Sequence, residues 1–175
     1  MEPLVALVDR LRAETTEREW LEFKRSYFDP EQLGQYLSAL SNETALAHQP
    51  RGYLIFGIDN DTHAVVGTKF DPYAKKGKGN EDLLPWLMAG LQPRAGFQHH
   101  VIEHPDGRVV LFEIFPASDE PIAFHGNAFI RVGSSIGPLK GCPAKARALW
   151  TLGRDWSAEV CPAQASKGPG LLDAW

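Results

Sequence analysis

Cysteine is almost missing from the 175-residue chain, with Cys142 and Cys161 the only two. A single pair makes no disulfide framework, and no cysteine spacing suits a zinc site. An excess of positive charge is missing as well. Against 18 lysines and arginines stand 22 acids, for a net charge of −4. That balance excludes a sequence-blind nucleic-acid coat, which is normally basic overall, so any contact with nucleic acid has to come from a local cluster. No apolar run approaches the length that crosses a bilayer, and the N-terminal stretch has no signal-peptide core, so the expectation is a cytoplasmic protein. No internal repeat is present. What remains is a chain that is 43% apolar, enough for one domain with a proper core.

Periodicity divides that chain. Residues 2 to 14 place Leu4, Val5, Leu7, Val8 and Leu11 along one side of a short helix. Asp29-Pro30-Glu31 is a strong helix start, an N-cap followed by proline at the first helical position, and Leu33, Leu37, Leu40, Thr44 and Ala47 recur at helical spacing after it. Asn42 and Glu43 fall late in this helix and border a site or the core. Residues 53 to 59, nearly all apolar, read as a central strand covered on both faces, with Asp59 at its end on the side of Tyr53, Ile55 and Gly57. Val65-Val66-Gly67 is the expected return strand. A helix over 81 to 91, interrupted near its start by Pro85, comes before strands over 97 to 104 and 108 to 115 around Pro105-Asp106-Gly107. A second hairpin turns at Gly126-Asn127, and residues 143 to 152 form a closing helix. The expected division is a folded domain over 1–156 and a flexible extension over 157–175.

Four stretches carry chemistry. In residues 17 to 24, Leu21 and Phe23 alternate with Glu22 and Lys24, so a strand here presents Glu22 and Lys24 together. Glu17 converges on them only from a turn or helix end before the strand. Carboxylates beside a lysine suit a divalent cation with a phosphate oxygen nearby; a solvated charged strand face is the other reading. Asp59 suits a ligand site, but on local grounds the turn Asp59-Asn60-Asp61 is the favoured reading. The loop around Lys75, Lys76 and Lys78 holds the densest positive charge, suited to a phosphodiester backbone. Arg131, just ahead of Gly133-Ser134-Ser135, suits a phosphate as well. His99, His100 and His104 read as exposed strand histidines, since His99 and His100 face opposite ways and no acid completes a metal spacing.

In this order the segments resemble the AlbA-like nucleic-acid-acting domain of the Schlafen family. The matching motifs are E-x-x-x-x-E-F-K (Glu17, Glu22, Phe23, Lys24), an asparagine-bearing helix followed by G-Y-L-I-F-G-I-D (Asn42, Gly52 to Asp59), and F-I-R-V-G-S-S (Phe129 to Ser135). The resemblance spans about residues 17 to 150. It implies an α+β fold, a mixed and mostly antiparallel sheet flanked by helices. In the ribonuclease members three acids form a divalent-metal site that cuts tRNA and rRNA, and these match Glu17, Glu22 and Asp59. The expected enzyme is thus an endoribonuclease using Mg²⁺ or Mn²⁺, with Lys24 stabilising developing charge and Lys75, Lys76, Lys78 and Arg131 holding structured RNA. The alternative is a non-catalytic DNA- or RNA-binding module of a regulator. The animal ribonucleases use two related lobes, so a homodimer is expected to supply the second. The chain departs from the family pattern in a longer insertion between Asn42 and Arg51-Gly52, and in lacking any counterpart of the animal zinc site.

Overall fold

The longest helix begins at its sequence signal. The Asp29 carboxylate accepts the Gln32 backbone N–H at 2.8 Å, and helix α2 runs Pro30–Leu46. The computed structural model of the protein describes residues 3–14, 18–27, 29–94 and 96–152. In chain order it contains α1 (Leu4–Arg12), β1 (Leu21–Lys24), α2, β2 (Gly52–Phe56), α3 (Leu83–Gly90), β3 (Leu91–Gln92), β4 (Phe97–His104), β5 (Gly107–Ile114), β6 (Ala123–Phe124), β7 (Asn127–Val132), β8 (Ser135–Pro138), a 3₁₀ turn and α4 (Pro143–Leu152).

The strands make two four-stranded sheets, β1-β2-β5-β4 and β3-β6-β7-β8. In the first, β1 runs parallel to β2, with α2 as the crossover that parallel pairing requires, and the other pairs are antiparallel. Alternation along the strands feeds two cores. Leu21, Phe23 and Ile55 pack under Leu7, Val8 and Leu11 of α1. Leu54, Phe56, Val110 and Phe112 face α2, which contributes Leu33, Leu37 and Leu40. Each such side chain, fully buried, stabilises the fold by about 1.5–3 kcal/mol. β2 is covered on both faces, as its apolar run implies. α2 reaches the second sheet as well, and a Cβ at Gly34 would fall inside the Phe124 ring, so glycine sets that approach.

The α+β fold with mixed pairing is present, and it is divided between two sheets. Gly133 and Ser134 form a turn, and the Ser, Gly and Pro of β8, residues of little strand propensity, are held as a strand by pairing with β7, from Phe129↔Pro138 to Val132↔Ser135. Pro85 does not interrupt α3, because the helix starts at Leu83 and its first turn needs no donor. The return over Val65–Gly67 is a single bridge, Ile58↔Val65. Residues 157–175 lie outside the described residues.

Candidate nucleic-acid interface and the buried charge cluster beside it

α2 buries a polar side as well as an apolar one. Ser38, Ser41, Asn42 and Thr44 have no exposed surface, and Glu43 is 2% exposed. The second sheet explains most of them. Asn42 donates to the Ile122 carbonyl at 3.0 Å and the Phe129 carbonyl at 2.9 Å, and accepts the Ile122 N–H at 2.8 Å. Ser38 donates to the Ile122 carbonyl at 2.7 Å and accepts the Phe129 N–H at 3.1 Å. The Glu43 carboxylate accepts the Arg131 N–H at 2.9 Å. Helix side chains thus serve β7 where a neighbouring strand otherwise would, because buried backbone groups must find partners. Asn42 and Glu43 therefore have a structural task, one their types permitted and their helical spacing did not reveal.

Glu43 leads into an ionic cluster. Lys145 of α4 donates to Glu43 at 2.5 Å, to Glu19 at 3.3 Å and to the Arg131 carbonyl at 3.3 Å. Burial is the largest single influence and works against the charge on Lys145, but the hydrogen bonds and negative charges of Glu43 and Glu19 together outweigh it, so its pKa is raised. Arg131, 4% exposed, donates through Nη1 to Glu22, which is 8% exposed. Lys24 Nζ lies 3.7 Å from the second Glu22 oxygen. Three acids (Glu19, Glu22, Glu43) therefore meet three cations (Lys24, Arg131, Lys145), and the charge is balanced within the cluster. The pair Glu22–Arg131 fastens the first sheet to the second. Arg131 is thus an internal partner of Glu22, with its Nε buried and lacking a hydrogen bond.

Asp59 has its own partners, distinct from those of the cluster. Gly57 takes φ +103° and donates to the Lys24 carbonyl at 2.7 Å, a conformation that favours glycine. The kink shifts the alternation: Ile55 and Ile58, an odd number of residues apart, enter the same core. Asp59 therefore leaves the phase that strict alternation assigned it. Its Oδ1 accepts the N–H groups of Asp61 at 2.9 Å and Thr62 at 2.8 Å, and Oδ2 pairs with Arg25. The backbone donors, Thr62 first and Asp61 next, hold its pKa down at about 2. Both the turn and the pairing satisfy Asp59 locally.

Glu17, the third acid matched by the resemblance, lies outside the described residues. Among the described residues no three His, Cys, Asp or Glu side chains come together in a way that holds a metal ion. A narrow cleft beside β1 is lined by Glu14, Arg18, Glu22, Asn60 and His63, among others.

The remaining cations lie toward the loop after β2, with Lys24 at their edge. Lys24 extends over the Tyr36 ring at 4.7 Å, and Lys75 over the Tyr27 ring at 5.7 Å. Lys24, Tyr27 and Tyr36 line one hollow, so the end of β1 and the lysine-rich loop share a surface. Tyr27 stacks on Phe70 with ring centroids 4.2 Å apart, and burial, with Asp29 nearby, pushes its pKa up to about 12. The loop is anchored from below by Arg108, which donates to the carbonyls of Thr68 at 3.1 Å and Phe70 at 2.6 Å. Lys75, Lys76 and Lys78 remain exposed; Lys76 pairs with Asp82 at 2.5 Å, a surface contact of small energetic weight. Tyr73, 68% exposed, is steadied by His99 at 2.8 Å from its hydroxyl. Arg25 lies close by in sequence with its side chain 58% exposed. Sequence reasoning found the lysines and missed Tyr73, Arg25 and Tyr27; an aromatic between Pro72 and a lysine run was the available signal.

The histidines divide. His99 and His100 are half-buried. His104 corrects the exposed reading: it is buried and meets Asp9 at 2.8 Å, a hydrogen bond that lowers the Asp9 pKa. The apolar positions of α1 did not reveal that its polar side would reach β4.

A family profile described as "Schlafen, AlbA_2" matches residues 17–140. Among solved structures, the DIP2311 protein from Corynebacterium diphtheriae is similar at 19% identity over 77% of this chain, with a TM-score of 0.45. This chain covers 26% of that protein's length. The N-terminal domain of a RecG-related protein from Nitrosomonas europaea is similar at 24% identity over 77% of this chain and 92% of that one, with a TM-score of 0.47. No curated protein matches the chain. Among the described residues no helix is long and apolar enough to cross a membrane.

Proposed function

Because the chain belongs to the Schlafen AlbA_2 family, a family of nucleic-acid-acting domains, we propose that it binds nucleic acid, structured RNA above all, on the surface formed by the end of β1 and the loop after β2. The observation that carries this reading is the pairing of Lys24 with Tyr36 and Lys75 with Tyr27 around one hollow. Lys75, Lys76 and Lys78 neutralise backbone phosphates there, Lys24 and Arg25 border the surface, and Tyr73 offers a ring on which a base stacks. An acidic protein with one basic face gains affinity from that face alone, so binding weakens steeply with salt. The test is binding of tRNA, a single-stranded oligonucleotide and duplex DNA over about 50 to 200 mM salt. Salt-independent binding, or none at low salt, would refute the proposal.

The second reading is a metal-dependent endoribonuclease at Glu17, Glu22 and Asp59 with Mg²⁺ or Mn²⁺. Supporting it, the Gly57–Lys24 hydrogen bond draws the Asp59 turn to the end of β1, and Glu22 borders a cleft with Glu14 and Asn60. The donor set as arranged does not fit a divalent ion, since Glu22 is committed to Arg131 and Lys24, and Asp59 to Arg25. Hard cations need carboxylate oxygens released from such partners. This disagreement puts binding first. Incubating tRNA with and without Mn²⁺ separates the two readings: Mn²⁺-dependent fragments that a Glu22→Gln variant no longer makes would reverse the order.

A further inference from the structure

On the far face of the first sheet, away from the lysine loop, a cavity of about 540 Å³ opens between the first turn of α1 and the strands. Leu4 and Leu7 form its apolar wall, and Tyr53, Gln98, His100 and Glu113 its polar floor. The floor follows from register: Tyr53 and Gln98 both lie opposite Glu113, in a row across β2, β5 and β4. Two groups on this floor are incompletely satisfied. His100 Nε2 is buried with no hydrogen bond. The Glu113 carboxylate, its side chain 21% exposed, has Arg51 at 3.7 Å and His100 at 3.5 Å, both beyond good hydrogen-bond length. Partly buried acceptors left this way are costly unless a ligand completes them.

The surroundings narrow the choice of ligand. Arg51, beside Glu113, lies 4.1 Å over the Phe115 ring, and Arg10 reaches the Tyr53 side chain. Arg51 and His100 beside the carboxylate, with Arg10 at the neighbouring Tyr53, disfavour a cationic guest and favour a neutral donor that carries an anion. The volume is within the range of small-ligand pockets, and the wall of leucines and ring faces suits a planar body.

We propose that this cavity binds a guanine base, whose adjacent N1–H and 2-amino donors meet the two oxygens of Glu113 while its phosphate is held by Arg51 and Arg10. The same chemistry comes from a free guanine nucleotide or from an unpaired guanine in a strand. Only the strand source rests on the nucleic-acid reading above.

The experiment is calorimetric titration of the full chain with guanosine, inosine, adenosine and cytidine monophosphates, then with guanine-containing and guanine-free oligonucleotides. Guanosine monophosphate is expected to bind, and inosine monophosphate, lacking the 2-amino donor, to bind about tenfold more weakly or worse. Glu113→Gln, which replaces one acceptor with a donor, is expected to lose about tenfold or more for guanosine monophosphate while its thermal midpoint stays put. Preference for guanine among mononucleotides alone identifies a free nucleotide as the ligand, and preference among oligonucleotides as well identifies the strand. Equal binding of all four mononucleotides, unchanged affinity in Glu113→Gln, or no binding of guanosine monophosphate would overturn the proposal. A Lys75→Glu, Lys76→Glu, Lys78→Glu variant separates the two claims: it should lose oligonucleotide binding and keep guanosine monophosphate.

Discussion

Arg131 and Lys75 are both cations that the sequence offered to a phosphate, and the structure treats them in opposite ways. Arg131 is enclosed between two sheets with its guanidinium on Glu22 and its backbone on Glu43 and Lys145. Lys75 stands in solvent with its charge over an aromatic ring. Moving a charge out of water is costly, and only close partners repay it, so a buried cation comes with its acid already in place. An exposed lysine keeps its hydration and exchanges it for a phosphate at little cost. The location of a cation relative to water, more than its type or its neighbours in sequence, decides whether it stabilises the fold or faces a ligand.

The sharpest way to break this comparison is Arg131→Ala. It leaves Glu22 buried without its partner and should cost about 3–5 kcal/mol in denaturant unfolding, while RNA affinity per folded molecule stays within about threefold, the effect of a residue outside the interface. A stable variant that has lost RNA binding would place Arg131 in the interface instead. The opposite pattern is expected of the triple variant Lys75→Glu, Lys76→Glu, Lys78→Glu. Its RNA affinity at low salt should fall by about tenfold or more, and the dependence of log affinity on log salt should flatten by about one per lost phosphate contact. Its stability should stay within about 0.5 kcal/mol, as unfolding curves would show.

Asp59 supplies the smallest effect. Its pKa is about 2 in the folded chain, below the roughly 3.9 of an unfolded aspartate. The folded state thus binds this proton less readily, and the stability it brings is present above about pH 4 and lost as pH falls toward 2. Asp59→Asn, which keeps a turn-forming oxygen, should lower the thermal midpoint slightly at neutral pH, match the parent near pH 2, and flatten the dependence of the midpoint on pH between them. An identical acid limb in the two proteins would mean that the N–H groups of Asp61 and Thr62 do not hold the charge.

Much of the fold could be read from local rules. The Asp29-Pro30 start of α2, the β4–β5 hairpin around Pro105-Asp106-Gly107 and the closing helix α4 appear where residue preferences placed them. These features depend on neighbours in sequence, where dihedral preferences and side-chain period act directly. The site was less legible. Strict alternation misplaced Asp59 because one positive-φ glycine shifted the phase after β2. The apolar spacing of α2 left Asn42 and Glu43 undecided, since their partners Ile122 and Arg131 arrive some eighty residues later.

By itself the sequence determined the elements, their apolar faces, the family and the lysine loop, because each is set by short-range pattern or by a motif order kept along the chain. The tertiary structure alone decided which charges are spent. It matched Glu22 to Arg131, gave Glu43 to Lys145, set Lys24 in one hollow with the Tyr27 ring that Lys75 overlies, and left Glu113 with only long contacts to Arg51 and His100. The physical reason is that a charge is valued by its distance to other charges and to water, and in a folded chain both distances are fixed by contacts between residues far apart in sequence.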